Sequence, residues 1–184
     1  LHKYGAFVQS SKNLLSNRLT VSAGLRADGN NFNSAMSKVQ NQLSPRVSLR
    51  YSFAPQWSFN ANGGIYYQQP NYLSLGYQTN NVFVNKNMQY VKCTQAVAGV
   101  QYDWDKRNTI ISVEGFYKYY NNYPVSVNRG ISIANLGADF GTVGNEALTS
   151  TGLGRSVGME VLYQQRFFKG LYGILGHTYV NSEF

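Results

Sequence analysis

Apolar and polar residues alternate along almost the whole chain, and helical periodicity is nearly absent. In RLTVSAGLRAD, Leu19, Val21, Ala23, Leu25 and Ala27 share one face of an extended segment, opposite Thr20, Ser22, Gly24, Arg26 and Asp28. PRVSLRYSF sets Val47, Leu49, Tyr51 and Phe53 against Arg46, Ser48, Arg50 and Ser52. WSFNANGGIYY places Trp57, Phe59, Ala61, Gly63, Ile65 and Tyr67 together, and NTIISVEGFYKYY does the same for Ile111, Val113, Gly115, Tyr117 and Tyr119. RSVGMEVLYQQRF aligns Val157, Met159, Val161 and Tyr163. YGAFVQ and AVAGVQYDW give two weaker strands, and Leu171 to Glu183 an eighth whose face stays open.

The connections are as informative as the strands. FAPQ, DWDKRN and FFKG carry Pro, Asp, Asn or Gly at turn positions, and SKNLLSN is somewhat longer. Between them lie long connections at about 29–42, 69–92 and 121–153. Short and long therefore alternate, so an up-and-down meander would be trimmed at one end and elaborated at the other. That asymmetry is typical of an outer-membrane barrel. A strand from Trp57 to Tyr67 spans about 33 Å at 3.3 Å per residue. A tilt near 40° reduces this to roughly 25 Å, the height of a barrel's apolar band. Trp57 and Tyr67 then fall at the two interfacial girdles, and Trp104, Phe53, Tyr117 and Tyr119 fit the same girdles. A soluble sandwich offers the same alternation, but its strands are shorter, about 5 to 6 residues, and its surface more charged.

Composition agrees with this picture. Charged residues are 13% of the 184, roughly half the usual share, while aromatics reach 15%. The net charge of +8 is spread over sixteen singly placed Lys and Arg, with no basic run and no nucleic-acid motif, so no nucleic-acid partner is expected. Cys93 is the only cysteine, which excludes an internal disulfide. No apolar run approaches the roughly 18 residues of a membrane helix. His2 and Lys3 lead directly into patterned sequence, so the chain is expected to start as a mature protein or in the middle of one.

The order YGAFVQ, RLTVSAGLRAD, LSPRVSLRYSF and GGIYYQQPNYLSL resembles the barrel of TonB-dependent outer-membrane receptors. Leu19, Gly24, Leu25, Arg26 and Asp28 carry the second piece, and Ser44, Pro45, Arg46 and Tyr51 the third. Gly158, Glu160, Gly170, Leu171, Thr178 and Tyr179 match the later strand pair. The acidic residue usual after QQPN is missing, since Leu73-Ser74-Leu75 contains none. NKNMQYVKCTQ also replaces the proline-containing segment expected before the next strand.

The resemblance implies an all-β, antiparallel transmembrane barrel, here about eight strands of roughly 22. Residues 1–184 would be a single segment of that barrel, without the plug domain and the remaining strands. It further implies a receptor in the Gram-negative outer membrane that imports a scarce nutrient. The partners expected are outer-membrane lipid, the TonB complex reached through the missing N-terminal region, a small-molecule, glycan or peptide ligand, and a surface lipoprotein. The alternative is a small, self-contained porin or adhesin barrel.

No catalytic constellation is visible. Asp103 and Asp105 lie in a turn, Glu114 and Glu160 are isolated, and His177 has no serine arrangement beside it. No enzyme activity, metal or cofactor is expected. Lumenal, plug-facing positions are assigned to Arg46, Arg50, Glu114, Lys118, Glu160 and Arg166, because Arg or Lys on a lipid face costs about 2–4 kcal/mol near the midplane. Ligand candidates fall in the uncharged second long connection: Tyr66, Tyr67, Gln68, Gln69, Asn71, Tyr72, Tyr77, Asn80 and Asn81. Tyrosine faces and amides suit neutral polar ligands.

Overall fold

The computed structural model describes residues 1–136 and 143–184. Eight antiparallel strands form one sheet in simple chain order, with no crossover. They are β1 (Lys3–Leu14), β2 (Leu19–Asn30), β3 (Leu43–Ala54), β4 (Trp57–Gln68), β7 (Val91–Trp104), β8 (Thr109–Ser126), β9 (Leu148–Phe168) and β10 (Leu171–Glu183). A small separate hairpin, β5 (Gln78–Thr79) and β6 (Val82–Phe83), lies in the second long connection. The sheet is open, with β1 and β10 as its edges.

Four connections are tight. Leu15–Arg18 turns through three consecutive left-handed residues, Leu15, Ser16 and Asn17, so the expected SKNLLSN loop is mostly strand. Ser11, Lys12, Asn13 and Leu14 complete β1 by pairing with Ser22, Val21, Thr20 and Leu19, which moves the turn four residues later. At the β9–β10 turn Lys169 and Gly170 both have positive φ, as a two-residue hairpin requires. The long connections are 31–42, 69–90 and 127–147. The third is shorter than the expected 121–153, because β8 and β9 pair on to Ser126↔Leu148. Part of that connection, residues 137–142, lies outside the described residues.

Register turns the alternation into two faces. Val21↔Leu49, Leu49↔Ala61, Ala61↔Ala98, Ala98↔Gly115 and Gly115↔Met159 run across the sheet as one row. The apolar row is the open one: Val47 is 54% exposed, Val157 47% and Val8 67%. On the opposite face Ser44, Ser58 and Ser156 are buried. A water-soluble sheet buries its apolar face. This wall does the reverse, so its apolar side is built for lipid and its polar side for a lumen. The register also settles β10: His177 pairs with Val161 on the apolar face, and Thr178 with Glu160 on the polar one.

The buried apolar cluster of the described residues lies among the long connections. Met36, Leu75, Met88, Tyr90 and Leu148 pack together, with Phe32, Tyr67 and Ile133 against them. Tyr67 was expected in the headgroup girdle; its ring packs against this cluster instead, because the connections fold down beside the top of β4. The girdle at the short-turn rim is formed by Phe53, Trp57 and Tyr102, with centroids 6.3 and 4.8 Å apart.

The two faces predict opposite responses from adjacent residues. Leu49→Arg is expected to cost about 2–4 kcal/mol of insertion free energy, while Ser48→Arg stays near wild type. Folding of the full-length protein into lipid vesicles under urea titration reads the difference; equal cost at both positions would refute the face assignment.

Candidate functional site

At the long-loop rim, the polar face opens into a cleft of about 490 Å³ lined by aromatic rings. Tyr66 comes from β4, Cys93 from β7, Tyr120 and Tyr123 from β8, and Phe184 follows β10. Gln68 lines it from the end of β4, and Gln69, Pro70 and Asn71 from the second connection. Phe184 sits 4.9 Å from Tyr123 and 5.3 Å from Tyr120, ring centre to ring centre, and the two tyrosines meet edge-on at 6.1 Å.

Tyr120 and Tyr123 are three apart, and regular alternation would put them on opposite faces. A bulge brings them together. The ladder shifts between Tyr120 and Tyr123, and Asn122 takes a left-handed conformation at φ +58°. Tyr120 then pairs with Gly154 and Tyr123 with Gly152, two positions on the same side of β9. Both glycines are needed for space. A Cβ on Gly154 would overlap the Phe184 ring, and one on Gly152 would lie 2.7 Å from the Tyr123 carbonyl.

The cleft's charge is cationic at its edge. The Arg46 guanidinium lies 4.4 Å from the Tyr66 ring centre and has no carboxylate within 4 Å among the described residues. Farther down the same face Lys118 lies 5.0 Å from the Phe116 ring. Arg26 and Asp28 form a two-pronged ion pair at 2.6 and 2.8 Å, a feature that sequence reading missed. Of the assigned lumenal residues, only Arg50 has an ion pair among the described residues, with Asp103 at 3.8 Å. Glu114 instead faces Glu160 directly across β8 and β9, and neither meets a cation within 4 Å there. Arg166 is exposed near the short turns, far along β9 from the cleft. No three His, Cys, Asp or Glu side chains converge as metal ligands among the described residues.

The ligand candidates divide. Tyr66, Tyr67, Gln68, Gln69 and Asn71 line the cleft; Tyr72, Tyr77, Asn80 and Asn81 do not. Tyr72 is exposed on α2 (Tyr72–Gly76) beneath the Lys3 ammonium, 4.8 Å from its ring. Tyr77 accepts a hydrogen bond from Thr79 at 3.5 Å. Asn80 and Asn81 both have positive φ and make the two-residue turn of the β5–β6 hairpin. Tyr120, Tyr123 and Phe184 were missed as site residues. The signal was YYNNY, where two asparagines between tyrosines mark a bulge.

The amides around the cleft mostly hold the connections together. Asn85 is 1% exposed; its amide donates to the Ser74 and Glu146 carbonyls at 2.7 and 2.9 Å, and its oxygen accepts from Leu148 N at 2.8 Å. Asn33 caps α1 (Ser34–Ser37) and donates to the Lys86 and Met88 carbonyls at 2.8 Å. Asn71 caps α2, accepting from Ser74 N at 2.7 Å. Asn30 donates to the Tyr90 hydroxyl at 2.9 Å and to Gln69 at 3.3 Å. Burial pushes the Tyr90 phenol up, while the hydrogen bond from Asn30 pulls the other way.

The whole chain, residues 1–184, matches the family model described as TonB dependent receptor-like, beta-barrel. Among solved structures it is similar to the siderophore receptor PirA from Pseudomonas aeruginosa, at 16% identity and TM-score 0.69 over 98% of this chain and 32% of that one. It is similar to the copper transporter OprC, at 19% identity and TM-score 0.64, over 99% of this chain and 28% of that one. The alcaligin receptor FauA from Bordetella pertussis matches at 14% identity and TM-score 0.62, over 98% and 30%. No curated protein matches it by sequence. The class is thus a strip of transmembrane barrel wall with its loops on one rim. The chain belongs to the TonB-dependent receptor β-barrel family, and it spans about a third or less of the solved structures it matches.

Two loop variants test the asparagine network. Asn85→Asp keeps the volume and removes both N–H donors, leaving two carbonyls unpaired at about 1–3 kcal/mol each. Hydrogen exchange should rise across 71–90 and 143–148 and stay unchanged in β1–β4; unchanged protection of Leu148 N would refute the network. Tyr90, whose folded pKa is raised, contributes stability that is complete below its unfolded value near 10 and lost as pH rises through the folded one. Loop protection is therefore expected to hold to about pH 10 and fall above it, and Tyr90→Phe to flatten that fall.

Proposed function

We propose that this chain is part of the wall of an outer-membrane active-transport receptor, energised through TonB, that captures a nutrient at its outward rim and passes it inward. The lumen-facing aromatic cleft carries the reading. It stands at the long-loop end, is lined by three wall strands, two connections and Phe184, and has its rings fixed by a bulge and two glycines. Long loops belong to the extracellular side of such barrels, and short turns to the periplasmic side.

The rings and the Arg46 guanidinium favour a ligand with flat or apolar surface and with acceptor or anionic groups. An iron chelate, cobalamin, a glycan and a peptide each present some of these features. The open edges β1 and β10 favour a larger barrel over a small, self-closed porin or adhesin. In that larger barrel a plug domain would fill the lumen. Glu114 and Glu160 would then receive one of its cations, because like charges opposed across a ladder repel unless a counter-charge sits between them. Arg46, Arg50, Lys118 and Arg166 complete the plug-facing set.

Calorimetry on the full-length receptor with an iron chelate, a copper salt, cobalamin, a glycan and a peptide should find one that binds. Tyr120→Ala and Tyr123→Ala should each weaken that ligand about ten-fold without changing the amount of inserted barrel. Tyr77→Ala, outside the cleft, should leave affinity unchanged; equal loss at Tyr77 would remove the cleft from the pathway. Glu114→Gln with Glu160→Gln should let urea release the plug at lower concentration, and an unchanged midpoint would refute the counter-charge role.

A further inference from the structure

Toward the long loops three arginines are ion-paired, Arg26 with Asp28 at 2.6 Å, Arg129 with Glu146 at 3.8 Å and Arg155 with Glu183 at 2.9 Å, while Lys3, Lys38, Lys86 and Lys92 have no carboxylate within 4 Å among the described residues. On the short-turn side Arg50 pairs with Asp103 at 3.8 Å. The cations at the turns themselves do not: Lys12, Arg18, Lys106, Arg107 and Lys169 are all exposed, and none has a carboxylate within 4 Å among the described residues.

At three of the four short turns a cation stands over an aromatic ring. Arg107 lies 4.5 Å from the Trp104 ring centre, Lys169 5.5 Å from Phe168 and Arg18 5.9 Å from Tyr51. Two of these turns are joined into one unit. Asn108 donates from its amide to the Phe167 carbonyl at 3.0 Å and accepts from Arg166 N at 2.9 Å, and Gln165 donates to the Arg107 carbonyl at 2.7 Å. Lys106, Arg107 and Lys169 therefore share a fixed platform with a single carboxylate, Asp105. Phe167, 71% exposed, stands on the same platform. Lys12 adds an independent sign. It lies on the apolar face opposite Val21, two residues from the end of β1, where its ammonium is satisfied only by reaching up to the headgroup layer.

We propose that this rim is an anionic-phospholipid site, in which the joined turns 105–108 and 167–170 bind the headgroup phosphate of an acidic glycerophospholipid while Trp104 and Phe167 seat against its acyl region. The chemistry is that of an interfacial girdle: aromatics at the apolar boundary, and unpaired cations at the depth of the phosphates. A zwitterionic lipid brings its own ammonium, so it gains less from unpaired cations than a lipid with net negative charge. The site would orient and anchor the wall from the leaflet opposite the ligand cleft. It rests on the membrane reading given above.

Native mass spectrometry of the full-length receptor, extracted in detergent with equimolar dioleoyl phosphatidylglycerol and dioleoyl phosphatidylethanolamine, tests it. The glycerol lipid should be retained about ten-fold over the ethanolamine lipid. The combined variant Lys106→Gln, Arg107→Gln and Lys169→Gln should bring that ratio close to one, and Lys106→Arg with Lys169→Arg should keep it. A ratio near one in the intact receptor would overturn the proposal, as would an unchanged ratio in the glutamine variant or displacement of the lipid by excess inorganic phosphate. Heat-modifiable migration of the same sample reports barrel formation separately. A receptor that never inserts refutes the membrane reading, and one that inserts without lipid preference refutes only the rim site.

Discussion

A strip of chain whose apolar side faces hydrocarbon has no water on that side to satisfy a peptide group, so every N–H and C=O must find its partner within the sheet. Between its two open edges the ladder from β1 to β10 meets that demand, and the rest of the molecule is arranged around it. On the polar face Ser44, Ser58 and Ser156 are buried, while Val8, Val47 and Val157 stand open on the other. Departures from pairing lie toward the strand ends. The one between Tyr120 and Tyr123 comes near the loop end of β8, where a lapse in the ladder can be met by solvent.

Above that level the physics changes. The connections cannot rely on hydrocarbon, and they form a small core of their own around Met36, Leu75, Met88, Tyr90 and Leu148. Asparagine joins the three connections. Each amide both donates and accepts, so one side chain such as Asn85 can bind two carbonyls and one N–H with no charge to neutralise. The uncharged composition of residues 69–90 is therefore mostly structural. Its polar groups face one another, and only its first residues look into the lumen.

The wall was largely legible in the sequence because a strand that meets lipid on one side and a lumen on the other must alternate strictly. All eight long strands, the alternation of short and long connections and the shared polar-face parity of Arg46, Arg50, Glu114, Lys118 and Glu160 follow from that period. What was not legible breaks the period or crosses the chain. Tyr123 reaches the cleft through a left-handed Asn122, and Phe184 through a partner far away in sequence. Asn80 and Asn81 look like binding residues by type, but they make a hairpin turn outside the cleft. Tyr67 has the parity of a girdle residue and packs instead against loops whose path no local pattern records.

The bulge at Asn122 separates two kinds of inheritance. Below it, residues of β8 are held to one side or the other by the bilayer, and exchanging their sides would disturb the whole wall. Above it, one inserted or removed residue swings every following side chain from inside to outside while the wall below keeps its place. A lineage of such walls can therefore reshape its outer rim by changing the length of a strand tip, leaving untouched the part that must live in lipid.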